Sequence, residues 1–472
     1  MMMWIDKTKK YRITLDKWEI GLAIICLGFY LFFPFYDGPV WCADSPSYAT
    51  MNITREPLYP TFLWIFRSLF GEDRYLMPVV LAQSLLAAYA TWKLSVTVKR
   101  YKDNSRSLAL LAVIFQFGVT ILCRFVAIRG SSYIDSIMTE GLGLSLYVLF
   151  IVQLYRYMME GKKRNLAAVA CYALLLVNLR KQMLITLALM AAVFFLYYIL
   201  KKRRIKKILL LLGLTVSLFL ASKLTDRIYN AFVRGAWIEH SGNSMGMLCT
   251  LIYTSGNNDI SLFAESTEED VVRILYEEIL SQAKAQELHV TYAPRGWVDL
   301  STHYADSYDA IGYGIINPVI QGYIAEHFDY SEIEAVMKYD EYCNRMTKVL
   351  LLQDKGDLTS VLAANIWKGF INSIARVNPY LNIYVLLAYG FYLFLYIISA
   401  FGRTGRQRKR WEDPDNTLTF AEIVLGGIIV NSFVVGVMIF TQPRYMIYNM
   451  GLFYLALSML IYDLISRKIR KW

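Results

Sequence analysis

Three groups of ionisable residues stand out in this chain because long apolar runs surround them. The first lies in Asp37–Pro60, DGPVWCADSPSYATMNITREPLYP, which sets Asp37, Asp44, Arg55 and Glu56 among hydroxyls and aromatics. A carboxylate held partly out of water has a raised pKa and can take a proton from a hydroxyl, which makes Asp44 a candidate general base. The same residue in ADSPSY also suits an Asx-type turn ahead of Pro46, and Asp37 before Gly38 and Pro39 suits a turn better than chemistry. The second group is Asp135 and Glu140 in YIDSIMTEGL. Read on one helix they are about 140° and about 7.5 Å apart, so one faces a site and the other pairs elsewhere. Hard cations prefer oxygen ligands, so a divalent metal, Mg or Mn, held between Asp44 and Asp135 is one expectation. The third group is basic: Arg180 and Lys181 between two apolar runs, and Arg444 in QPRY. Arginine at a membrane edge suits bidentate phosphate contacts, and snorkelling to headgroups is the alternative. A base beside phosphate-binding cations, or a metal, fits chemistry on a phosphorylated lipid.

The elements that hold these groups follow from composition. Of 472 residues, 56% are hydrophobic and only 18% charged, against roughly 25% charged in soluble domains. Apolar runs near the ~20 residues that cross hydrocarbon recur along the chain, and the ~10-residue alternation of barrel strands does not. The expected fold class is therefore an all-α polytopic membrane protein. Ten helical spans are expected, at about 18–36, 76–97, 108–125, 135–155, 165–179, 183–200, 207–222, 380–401, 420–441 and 445–463. Six alternate connections, Lys7–Lys17, Lys99–Arg106, Arg156–Arg164, Lys201–Lys207, Arg403–Arg410 and Arg467–Lys471, hold 28 Lys and Arg, whereas the intervening short ones hold 8. That bias predicts a multi-pass plasma-membrane protein with both termini cytoplasmic and every second loop external.

Three regions result: an N-terminal membrane module, 1–222, with seven spans and a catalytic first external loop at 37–75; an external unit, 223–379; and a C-terminal module, 380–472, with three spans. Pro57–Phe70 is too short to span and rich in aromatics, so it reads as a helix along the outer interface with Arg67 toward the headgroups. In the external unit, Ser266–Glu269 can start a helix running to about Glu287, and Ser331–Gln353 and Leu358–Arg376 have helical spacing. Between them Leu288–Gly322 reads as an irregular Tyr, Gly and His stretch, whose aromatics suit either a sugar face or local packing.

The net charge of +11 does not indicate nucleic acid. Residues 223–379 carry 12 Lys and Arg against 21 Asp and Glu, and the remainder carries 37 against 17, spread over short loops rather than one patch. The six cysteines have no metal spacing; Cys249 and Cys343 share the external unit, where oxidising conditions would let them pair. The first apolar run is long and lacks a small-residue cleavage site, so it reads as a retained helix. Nucleotide-binding, zinc and serine-nucleophile motifs are missing.

Several motifs together resemble the GT-C class of integral membrane glycosyltransferases, and among them relatives of the protein mannosyltransferases and the lipid A aminoarabinose transferases. They are DSPSY (Asp44–Tyr48), REPLYP (Arg55–Pro60), DSIMTEGL (Asp135–Leu142), NLRKQML (Asn178–Leu184) and PRY (Pro443–Tyr445), in that order. The resemblance implies sugar transfer from a polyprenyl-phosphate carrier. Asp44 would be the base, Asp135 or Glu140 the second acidic catalytic position, and Arg444 a lipid-phosphate contact. Tyr48, Arg55, Glu56, Tyr59, Arg180, Lys181 and Tyr445 would lie along the substrates. Partners would be membrane lipids, the lipid-linked donor and a glycan, lipid or polymer acceptor. The chain departs from the protein mannosyltransferases in having Ser45 after Asp44 rather than an Asp-Glu pair. A polysaccharide polymerase or ligase, and a lipid-linked sugar flippase or transporter, are the competing readings.

Overall fold

The run from Thr139 to Glu160 is apolar on nearly every side, as a helix must be when protein surrounds it. In the computed structural model, which describes residues 16–125, 130–201, 205–263, 267–376, 378–401 and 415–469, it is the hub of the membrane part. The helices are α1 (Lys17–Asp37), α2 (Ser45–Ala49), α3 (Leu58–Phe70), α4 (Leu76–Tyr101), α5 (Arg106–Cys123), α6 (Thr139–Glu160), α7 (Lys163–Leu179), α8 (Leu184–Leu196) and α9 (Ile205–Arg234). There follow α10 (Met245–Thr254), α11 (Thr267–Ala285), α12 (Trp297–Ile311), α13 (Asn317–His327), α14 (Glu332–Leu350), α15 (Lys355–Ile374), α16 (Pro379–Phe401) and α17 (Asn416–Met438). Short α18 (Pro443–Met446) leads through a 3-10 turn into α19 (Met450–Ile469). The described residues contain no strand, only a single parallel bridge between Val40 and Ser136.

Nine of these described helical segments are long and apolar enough to cross a membrane, consistent with the expected all-α polytopic class. The tenth expected span is α7, 17 residues or about 25 Å long. It lies antiparallel to α6: Arg180 after its last residue pairs with Glu140 at the start of α6, and Asn165 near its start bonds Glu160 at the end of α6. Consequently the first loop, the start of α6, Arg180 and the start of α18 gather at one end of the bundle. α6 packs against α4, α7 and α17, whereas α9 and α16 leave most of their apolar surface exposed, as lipid-facing helices do.

The span expected at 207–222 is longer in the structure, because α9 continues unbroken to Arg234. Its charged extension is held by Lys223 and Arg227 on Glu239, at 2.7 and 3.0 Å. Beyond it, α10 to α15 bury a second cluster around Tyr253, Tyr276, Tyr304, Tyr308, Ile315 and Met346, joined by Phe440 from the connection before α18. Ser331 and Glu334 form a reciprocal cap at the start of α14. Cys249 and Cys343 are buried there as separate thiols. The stretch 288–322 is irregular only as far as Gly296, where it holds a single 3-10 turn; from Trp297 on, Leu300, Tyr304, Tyr308, Ile311 and Ile315 recur at three and four residues, a helical stripe that its Gly, Pro and His content conceals. α15 lies along α17, with Asn365 Nδ2 donating to the Gly436 and Ile439 carbonyls, both at 2.8 Å. The basic clusters at Lys7–Lys17, Lys201–Lys207, Arg403–Arg410 and Arg467–Lys471, and Ser266 of the expected cap, fall wholly or partly outside the described residues.

Candidate active site at the loop end of the bundle

Two loops are zipped together before any charge is placed. Val40 N–H donates to the Asp135 carbonyl at 2.8 Å and Ile137 N–H to the Val40 carbonyl at 3.0 Å. Ser45 Oγ donates to the Ile137 carbonyl and accepts from Cys42 N–H, both at 2.8 Å. Gln83 on α4 holds the same segment from beneath, donating to the Ile134 and Ser136 carbonyls at 2.8 and 3.0 Å. Asp44 stands at the cap position of α2 but makes no capping bond, which leaves its carboxylate free of the turn that its local sequence suits.

That carboxylate lies between two arginines. Arg55 Nη2 donates to Oδ1 at 2.9 Å, and Arg444 Nη1 approaches Oδ2 at 3.4 Å across 400 residues of chain. Arg55 is itself fixed by Ser47 Oγ at 2.8 Å and lies 4.6 Å over the Tyr48 ring. Behind Arg444, Glu140 is fully buried and bonds Arg180 directly, with Arg444 Nε 4.0 Å away. The Tyr445 ring sits between the cations, 4.6 Å from Arg180 and 4.9 Å from Arg444, and its hydroxyl accepts from Arg444 Nη2 at 3.0 Å. The Tyr445 carbonyl takes bonds from Gln182 and Asn431, at 2.8 and 2.9 Å. The buried Arg444 Nε has no hydrogen-bond partner among the described residues.

A cavity of about 240 Å³ opens over this group, lined by Cys42, Ala43, Asp44, Phe125, Tyr133, Met138, Arg376, Gln442, Pro443 and Arg444. Tyr133 holds a left-handed backbone, φ 63°, which a bulky side chain adopts at a cost of about 1–2 kcal/mol. Asp44, Glu140, Arg55, Arg180, Arg444 and Arg376 together set four guanidinium groups against two carboxylates. Burial alone would push the Asp44 carboxyl up; Arg55 and then Arg444 and Arg180 outweigh it, and the net direction is down. The raised pKa expected for a base at this position is thus corrected: cations rather than a dry wall dominate its surroundings.

Other expectations also change. Asp135 is not on α6, which starts at Thr139, so the 140° argument does not apply. It is fully buried, accepts from Ser132 N–H at 2.8 Å, and faces Asp37, which Arg124 binds. Burial first, and the neighbouring Asp37 carboxyl second, push Asp135 up to about 7. It does not line the cavity. Asp37 is therefore an ion-pair partner of Arg124 as well as a turn residue. Glu140 likewise stands behind the wall rather than on it. Tyr59 is wholly buried and donates to Gln83 Oε1 at 2.9 Å, supporting the loop from within. Tyr48 is buried under Arg55. Glu56 accepts the Lys181 backbone N–H and lies 4.0 Å from His240 Nε2, so this pair ties segments together beside the cavity. Arg67 donates to the Ala49 carbonyl at 3.1 Å instead of reaching outward.

The donor set does not fit a divalent metal at Asp44 and Asp135. Both Asp44 oxygens face guanidinium groups, Asp135 belongs to a different cluster, and the described residues contain no group of three or more His, Cys, Asp or Glu suited to an ion. Of the remaining cavity residues, Phe125 and Arg376 had no motif to mark them in the sequence, whereas Tyr133 and Gln442 open the stretches YIDSIMTEGL and QPRY but were not singled out there.

No family model matches the chain, and no curated protein matches it. Among solved structures it is similar to the archaeal oligosaccharyltransferase AglB from Archaeoglobus fulgidus, described in complex with an inhibitory peptide and a dolichol-phosphate. The TM-score is 0.42 at 13% identity, over 96% of this chain and 52% of that one, so the chain spans about half the length of that structure. At this distance the functional reading rests on the side chains.

Proposed function

We propose that the chain is a membrane glycosyltransferase that moves one sugar from a polyprenyl-phosphate carrier to a hydroxyl of a glycan, lipid or cell-surface polymer. The observation that carries this reading is the meeting of the Asp44 carboxylate with Arg444, whose buried Nε has no hydrogen-bond partner among the described residues, on one wall of a cavity at the ends of the spans. Asp44, held low by its cations, is ionised at neutral pH and accepts the acceptor's proton late, as the hydroxyl oxygen bonds the sugar carbon. The carbon–oxygen bond to phosphate breaks, and its electron pair goes to the phosphate, where Arg444 takes up the charge. Glu140 and Tyr445 fix Arg444, and Arg55 orients Asp44. By the charge bias of its loops, this face is the external one of the plasma membrane, with residues 223–379 on the same side. Transport is disfavoured because these charges collect at one end of the helices, where a transporter places them near the middle.

The test uses the purified chain in detergent, with radiolabelled sugar on a polyprenyl phosphate and a mixed hydroxyl-bearing acceptor pool. Label leaving the carrier without any second compartment supports transfer. Label that stays on the lipid in detergent but crosses the bilayer of proteoliposomes would establish a transporter instead.

A further inference from the structure

One guanidinium on the cavity wall is left out of the pairings above. Arg376 follows the last turn of α15 and lines the cavity together with Asp44 and Arg444. Its side chain is exposed, and it has no ion-pair partner among the described residues. Its position is not loose. Tyr454 OH donates to the Ile374 carbonyl at 2.7 Å, Asn372 Nδ2 to the Thr441 carbonyl at 3.3 Å, and Ile371 and Ile374 are buried. The chain is thus anchored two residues before Arg376. Beside it, Phe125 is largely exposed and forms an apolar rim to the same cavity. An unpaired cation next to an exposed aromatic, at the end of lipid-facing helices, matches a phosphate joined to a lipid chain.

We propose that Arg376 is a second ligand of the carrier phosphate, opposite Arg444, a role that rests on the glycosyl-transfer reading above. During transfer the bond from the sugar carbon to the phosphate oxygen breaks as the bond to the acceptor oxygen forms. The acceptor proton goes to Asp44 and the electron pair to the phosphate, whose charge rises from one negative toward two. Arg55 and Arg180 are each bonded to a carboxylate, whereas Arg376 keeps all its donors for that charge. Its contact therefore strengthens as the phosphate departs, and its loss lowers kcat as well as donor affinity.

The experiment compares wild-type protein, Arg376→Gln and Arg376→Lys as full chains in detergent. It measures displacement of a fluorescent polyprenyl phosphate, binding of the uncharged polyprenol, and steady-state transfer. Arg376→Gln is expected to weaken polyprenyl-phosphate binding and kcat/KM by about 10- to 100-fold, leave polyprenol binding unchanged, and melt like wild type. Arg376→Lys, which keeps the charge without the fork, should fall between. Repeating the displacement with a bulk anionic phospholipid separates the carrier phosphate from a headgroup: competition by the phospholipid equal to that by polyprenyl phosphate overturns the proposal. If wild type binds the phosphate lipid and transfers sugar while Arg376→Gln does both equally well, the inference alone fails. If wild type neither binds nor transfers, the glycosyltransferase reading fails and the inference with it.

Discussion

Replacing Glu140 by Gln removes the one carboxylate that holds Arg180 and stands 4.0 Å from Arg444 Nε. Glu140 has no exposed surface, and the Arg180 side chain is 17% exposed, so water does little to screen what remains. Losing one partner of a buried ion pair costs about 3–5 kcal/mol, because the other charge is left in a low-dielectric site. Glu140→Gln and Arg180→Gln should each destabilise the protein by that order. The double variant should recover most of the loss, since two amides can bond each other without a net charge, giving a coupling of at least about 2 kcal/mol. The assay is unfolding in detergent followed by tryptophan fluorescence and helical circular dichroism on all four proteins. Single variants within about 0.5 kcal/mol of wild type, with an additive double, would refute the claim that this pair is the buried support of the cation cluster.

Tyr445 separates ring from hydroxyl. Tyr445→Leu removes both cation–π contacts, each worth about 0.5–2 kcal/mol, and should raise the donor KM roughly tenfold, whereas Tyr445→Phe keeps the ring and should change it only a few-fold. Burial beside Asp37 raises the Asp135 carboxyl to about 7, above its unfolded range, so the folded state holds more protons in that window and stability falls as pH rises through it. Asp135→Asn should therefore melt higher than wild type at pH 8 and no higher at pH 4; melts across pH 4–8 check the sign.

Long-range pairing was the part of this protein hardest to read in the linear chain. Apolar runs near 20 residues reveal the spans, because every backbone group in hydrocarbon must be bonded within its own segment. The end of α9 was hidden because Lys223, Asp226 and Arg227 look like a membrane exit, although the helix continues and Glu239 returns to neutralise it. Asp44, Arg55, Arg180 and Arg444 could be selected by type and place. What each one touches could not: Glu140 meets Arg180 only because α7 runs back along α6, and Arg444 meets Asp44 only because the last span closes against the first loop. Asp135 was misplaced by assuming that the fourth helix began four residues early, which turned a buried loop carboxyl into a helical one. Tyr59 carries an aromatic of the kind that sugar sites use, yet its hydroxyl is needed by Gln83 in the interior.

The central claim is that the Asp44 carboxylate accepts the acceptor's proton while guanidinium groups hold the phosphate. It is tested most directly by single-turnover transfer with wild type and Asp44→Asn, alongside polyprenyl-phosphate binding by the same preparations. Asp44→Asn should lose transfer by about 10²–10⁴-fold, with phosphate binding kept or tightened because a negative charge has left its side. Transfer at a near-normal rate by Asp44→Asn would contradict it.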